Sequence, residues 1–151
     1  MQRRDLLSTV GLGAAAAMTM GPRSARADEH EGQQHDHGDS VAIMEVCARA
    51  CNDAARHCLD QLRKGAEKAD YHATSVDVTT ACQEFCLLSA QLMARHSELQ
   101  TIAHEANARA CDACAEVCEQ SDAQVMKDCA EKCRECAEHC RKMAREGHHH
   151  G

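Results

Sequence analysis

Between Met126 and Met143 the sulfur-bearing residues Met126, Cys129, Cys133, Cys136, Cys140 and Met143 recur at steps of three, four, three, four and three. A helix of 3.6 residues per turn gathers such positions into one stripe, the seam that Leu and Ile fill in an ordinary bundle. Here thiols fill the seam, with a thioether at each end and charged residues such as Lys132, Glu135 and Arg141 on the outer face. The spacing recurs upstream in Cys47, Cys51 and Cys58, in Cys82 and Cys86, and in Cys111, Cys114 and Cys118. No proline follows Pro22 and no alternating strand pattern occurs. The pattern therefore predicts an all-α chain with sulfur in its interior.

The first 27 residues read as a targeting segment. Arg3-Arg4-Asp5-Leu6-Leu7 resembles a twin-arginine export signal, and Leu6 to Met20 is a short, weakly apolar stretch. Ala25-Arg26-Ala27 is a cleavage pattern. About 15 residues fall short of the roughly 20 that span a bilayer. The expected location is periplasmic or otherwise extracytoplasmic. The twin-arginine route carries proteins already folded, so thiols can be packed and reduced before they meet an oxidising compartment.

Removal of that segment takes the chain from 17 basic and 24 acidic residues to 13 and 23, a net charge of −10. Such a balance argues against nucleic acid and anionic membranes as partners. Leu, Ile, Val and Phe make up only 15 of the remaining 124 residues, a composition that usually signals disorder. The twelve cysteines point the other way, because a protonated Cys behaves as a small buried hydrophobe.

Residues 28–39 are polar and aperiodic and read as a His-rich disordered tail. A first helix is expected from near Ser40, with Met44, Cys47, Cys51, Ala54 and Cys58 inward, ending at Arg63-Lys64 before Gly65. A loop over 65–76 precedes a second helix from near Asp77, with an inner stripe of Cys82, Cys86, Ser89, Met93 and His96. Ser97-Glu-Leu-Gln100 and Ser121-Asp-Ala-Gln124 are capping-box patterns that open a third helix and a fourth. The third carries His104, Asn107, Cys111, Cys114 and Cys118 inward, and Gly147 closes the fourth before the tail His148-His149-His150. Residues 40–146 should thus form an up-down-up-down four-helix bundle with a Cys-lined core.

Thiolates and thioethers are soft donors that select Cu(I), zinc or iron–sulfur clusters. Cysteines three or four apart are neighbours on one helix face. Cys129 to Cys140 covers about 16 Å of helix, so the pairs form a ladder suited to a row of Cu(I) ions bridged by thiolates. Zinc sites close around four ligands and would leave many thiols unused. Iron–sulfur signatures sit on loops followed by Pro. A disulfide framework is the main alternative in an exported chain, but it would need many bridges through one helical seam. Storage of metal, a disulfide-stapled structural protein and an iron–sulfur electron carrier therefore all remain open. No Ser-His-Asp, paired-carboxylate or phosphate-loop pattern supports an enzyme.

The spacing C-x2-C-x3-C followed by C-x3-C-x2-C-x3-C, with the export signal and His57-Cys58-Leu59, resembles the exported bacterial copper storage proteins. The resemblance implies a homotetramer of four-helix bundles that stores multiple Cu(I) ions on core thiols. It further implies supply of copper to exported or membrane enzymes, such as a membrane methane monooxygenase. One departure is Met126, which stands where a further thiol would fit and weakens or removes the innermost site.

Topology places Met44, Met93, His96, His104 and Met143 at one end, where they could act as a copper port; the same methionines could simply fill the core. Cleavage after Ala27 would expose Asp28-Glu29-His30, whose amine, backbone nitrogens and imidazole suit square-planar Cu(II), with His35 and His37 nearby. His148 to His150 could collect metal or merely be solvated. His57 and His139 are expected beside the seam, partly exposed rather than ligating, and Tyr71 and Phe85 are expected to pack.

Overall fold

The computed structural model describes the backbone of residues 28–147 and the side chains of residues 38–147. Residues 1–27, expected to be an export signal, the His148–His150 tail and the side chains of His30, His35 and His37 lie outside the described residues. Four helices follow in order: α1 Asp28–Arg63, α2 Ala69–Ala94, α3 Gln100–Cys118 and α4 Gln124–Gly147. Each of α1 and α3 packs on both α2 and α4. The up-down-up-down bundle is thereby closed, with its sulfur stripes on the inside.

Two helices begin earlier than the sequence pattern suggested. α1 extends back to Asp28 instead of starting near Ser40, so the segment expected as a disordered tail is helical. No proline interrupts 28–39, and Asp28, Glu29 and Glu31 suit the positive end of the helix dipole. α2 starts at Ala69 rather than near Asp77. Its inward stripe of Ser75, Thr79, Cys82, Cys86, Ser89 and Met93 keeps steps of four, three, four, three and four, all buried. The first two positions carry hydroxyls rather than sulfur, and these are satisfied locally. Thr79 Oγ1 donates to the Ser75 carbonyl at 2.6 Å and Ser75 Oγ to the Tyr71 carbonyl at 2.8 Å.

The expected capping boxes do not form. Ser97 Oγ accepts from the Leu99 N–H at 3.3 Å and Ser121 Oγ from the Ala123 N–H at 3.2 Å, two residues on instead of three. The serines therefore make local turns just before α3 and α4, and the side chain of Gln124 turns to Asp128 instead.

Two helix ends share one geometry. At the end of α1, Gly65 N–H donates to the Leu62 carbonyl and Ala66 N–H to the Gln61 carbonyl, with Gly65 at φ 72°. At the end of α2, His96 N–H donates to Met93 and Ser97 N–H to Leu92, with His96 at φ 51°. Both are Schellman closures with a left-handed residue after the helix. His96 thus lies exposed beyond α2, not on its inner stripe.

Ala54, Ala115 and Ala137 are fully buried beside the thiols and let the helices approach closely. Phe85, expected to pack, is 38% exposed. Tyr71 is half-buried and its hydroxyl donates to the Val117 carbonyl at 3.2 Å. Among the described residues no helix is long and apolar enough to cross a membrane.

The paired helix ends predict opposite effects of mutation. Gly65→Ala adds a Cβ to open space but strains a left-handed backbone, and should destabilise the apo protein by about 1 kcal/mol. His96→Gly relieves the same conformation and should stabilise by roughly 0.5–1 kcal/mol. Chemical denaturation of the reduced apo protein measures both.

Candidate metal centre

All twelve cysteines are free thiols and fully buried. Their contacts cross the bundle axis. Cys47 and Cys51 on α1 lie 3.9 Å from Cys111 and Cys114 on α3. Cys82 and Cys86 on α2 lie 3.9 and 4.0 Å from Cys133 and Cys136 on α4. Diagonal helices therefore meet through sulfur, and the axis itself is a column of thiols.

Three groups of four sulfurs gather within 4.8 Å: Cys47, Cys86, Cys111 and Cys136; Cys47, Cys51, Cys82 and Cys133; and Cys51, Cys114, Cys129 and Cys133. They interlock, because Cys47 belongs to the first two and Cys51 with Cys133 to the last two. A trigonal site with metal–sulfur bonds of about 2.3 Å sets its sulfurs about 4.0 Å apart. Separations of 3.6, 3.7 and 3.9 Å at Cys82–Cys111, Cys47–Cys133 and Cys114–Cys129 nearly match that span. A disulfide framework needs one partner per sulfur. Cys133 instead has four, Cys47, Cys51, Cys82 and Cys129, at 3.7, 3.7, 3.9 and 4.0 Å.

Crowded thiols cannot all ionise together, so their proton affinities diverge. Cys86 is lowered to about 6, chiefly by hydrogen bonding from Cys111. Cys140 is also lowered to about 6, first by Cys136 and then with help from His104 and Asn107. Cys51 and Cys111 are raised, chiefly by Cys114 and Cys133 respectively. The column thus mixes sulfurs whose proton affinity is lowered with sulfurs whose affinity is raised.

Asn107 occupies a position whose importance its stripe alone did not reveal. Its amide donates to Cys140 at 3.3 Å and to Cys136 at 3.8 Å, while its carbonyl oxygen accepts from Cys86 at 3.3 Å and Cys111 at 3.5 Å. It is the polar junction between the ladder and the end of the bundle bearing methionine and histidine. There Met44 and Met93 are fully buried, His104 is 1% exposed, and Met143 is half-buried with its sulfur accepting from Ser40 Oγ. Both ring nitrogens of His104 lack a hydrogen-bond partner. His96 stands outside this group, on the surface. His139 is half-buried and engages Ser40 at 2.8 Å, and His57 is half-buried near His72.

A family model for the copper storage proteins (Csp) matches residues 33–145. The chain belongs to that family. Among solved structures it is similar to the Nmul_A1745 protein of Nitrosospira multiformis, at 33% identity and a TM-score of 0.64, covering 74% of this chain and 97% of that one. It is also similar to apo copper storage protein 3 of Bacillus subtilis, at 25% identity and a TM-score of 0.64, covering 71% and 97%. A Cu(I)-bound copper storage protein, BsCsp3, matches at 27% identity and a TM-score of 0.51, covering 68% and 98%. No curated protein matches the chain significantly.

Reduced protein unfolded in denaturant should expose all twelve cysteines to a thiol reagent. The folded apo protein should react much more slowly, since every one is buried. A near-zero count in denaturant without added reductant would favour the disulfide framework.

Proposed function

We propose that this protein stores multiple Cu(I) ions on its core cysteine thiolates. The observation that carries the reading is the interlocking of the three four-sulfur groups, which share Cys47, Cys51 and Cys133. Isolated four-ligand zinc sites would leave thiols unused, whereas here one continuous set of shared sulfurs runs through all three groups. Cu(I) accepts two or three sulfurs, and a bridging thiolate serves two ions. Each monovalent ion also replaces one thiol proton, so the loaded column gains no net charge. A bound Cu(I) in the related BsCsp3 supports the same assignment. The role is that of a store and not an enzyme.

The reading extends to setting. The twin-arginine pattern at Arg3-Arg4 supports export to the periplasm or beyond, where the store would serve exported or membrane copper enzymes. Exposed apolar residues on and after α2, Leu87, Leu88, Leu99 and Ile102, supply surface for a homotetramer. Met44, Met93, His104 and Met143, with Cys140 beneath, supply soft and borderline donors for a port through which ions reach the ladder. His96 can contribute only from the surface.

Titration of reduced apo protein with Cu(I) against a competing chelator should saturate at about one ion per core thiol. Saturation at one or two ions would refute storage. Replacing Met44, Met93, His104 and Met143 with Leu or Ala should slow uptake and release while leaving capacity nearly unchanged; unchanged kinetics would dismiss the port.

A further inference from the structure

Cys58 stands apart from the ladder. It belongs to none of the three four-sulfur groups. Its thiol donates across the bundle to the thioether of Met126 on α4, 3.8 Å away. Both side chains are fully buried. The hydroxyls of Ser75 and Thr79, buried on α2, direct their protons to carbonyls of their own helix. This end lies opposite the port, where α1 turns into α2 and α3 into α4.

Charge explains why a thioether suits this position. Within the ladder, bridging thiolates and Cu(I) ions balance one another. A last ion held by two unshared thiolates would leave one negative charge buried, which is costly. One thiolate and one neutral thioether hold a Cu(I) ion with no residual charge, and both donors are soft. Two metal–sulfur bonds of about 2.3 Å span about 4.6 Å when linear, so the two sulfurs, 3.8 Å apart, need to part by less than about 1 Å to take an ion between them.

We propose that Cys58 and Met126 form a terminal thiolate–thioether Cu(I) site at the sealed end of the bundle, holding one ion less tightly than the all-thiolate ladder. The inference rests on the copper-storage reading. Binding forms one bond from copper to the Cys58 sulfur and one to the Met126 sulfur, and releases the Cys58 proton; no electron is transferred. The thioether cannot bridge to a second ion, so this ion is the first withdrawn by a competitor.

The test is Cu(I) titration of the reduced full bundle against chelators of graded strength, for wild type, Met126→Leu and Met126→Cys. Wild type should show one equivalent held roughly tenfold or more weaker than the rest. Met126→Leu, a near-isosteric change, should lose that equivalent and keep the others. Met126→Cys should keep it and move it into the tight class, because a thiolate at this position, unlike the thioether, can be shared with a neighbouring ion that balances its charge. Circular dichroism of each apo variant checks folding, and Met126→Leu alone decides if the Cys variant fails to fold. Equal number and affinity of ions in wild type and Met126→Leu would overturn the site while leaving storage intact. A wild type that binds only one or two ions would overturn storage itself.

Discussion

Twelve thiols confined to one dry column find most of their partners in one another. That constraint governs the rest of the structure. Sulfurs held 3.9 to 4.0 Å apart across both diagonals require helices in close approach, which the buried alanines on their flanks permit. S–H groups are weak donors, so the apo core is held by many modest contacts rather than by large apolar side chains. A ligand bound only by the folded column adds its binding free energy to stability. Storage and folding are therefore coupled through the same atoms.

The column has two different ends. Towards the α2–α3 turn, His104 is buried with both ring nitrogens unpaired, next to Cys140, and Asn107 links that pair to the first four-sulfur group. Towards the α3–α4 turn, Cys58 donates to a thioether, beside Ser75 and Thr79, whose hydroxyls donate to carbonyls of their own helix. A gradient follows from nitrogen and thioether donors, through thiolates, to a single thiolate and thioether. Soft anionic donors are thus densest in the all-thiolate middle of the column and thin out towards both ends. The salt links that tie α3 to α4, such as Arg134 to Glu119 at 3.0 Å, lie on the surface and contribute little by comparison.

Much of this was legible in the sequence because the inward stripes are chemically unusual. Cys47, Cys51 and Cys58, and Cys129 to Cys140, lie where their spacing puts them. What escaped was carried by residues with weaker signatures. The start of α2 hid because Ser75 and Thr79 continue the inward rhythm with hydroxyls in place of sulfur. The first turns of α1 hid because polar residues carry no period at all. His96 kept the rhythm of α2 but fell past its end, where the turn demands a left-handed residue and no glycine is present. Pairings such as Cys58 with Met126 join residues 68 apart in the chain. Periodicity places each on an inner face but cannot say which inner faces meet at one height.

The central claim is that copper fills a pre-formed sulfur column. Copper K-edge X-ray absorption of the fully loaded protein tests it most directly. The account predicts a first shell of sulfur at about 2.3 Å, with clear scattering from neighbouring copper ions, since shared thiolates hold adjacent ions close. A first shell dominated by nitrogen or oxygen, or sulfur coordination without copper neighbours, would contradict it.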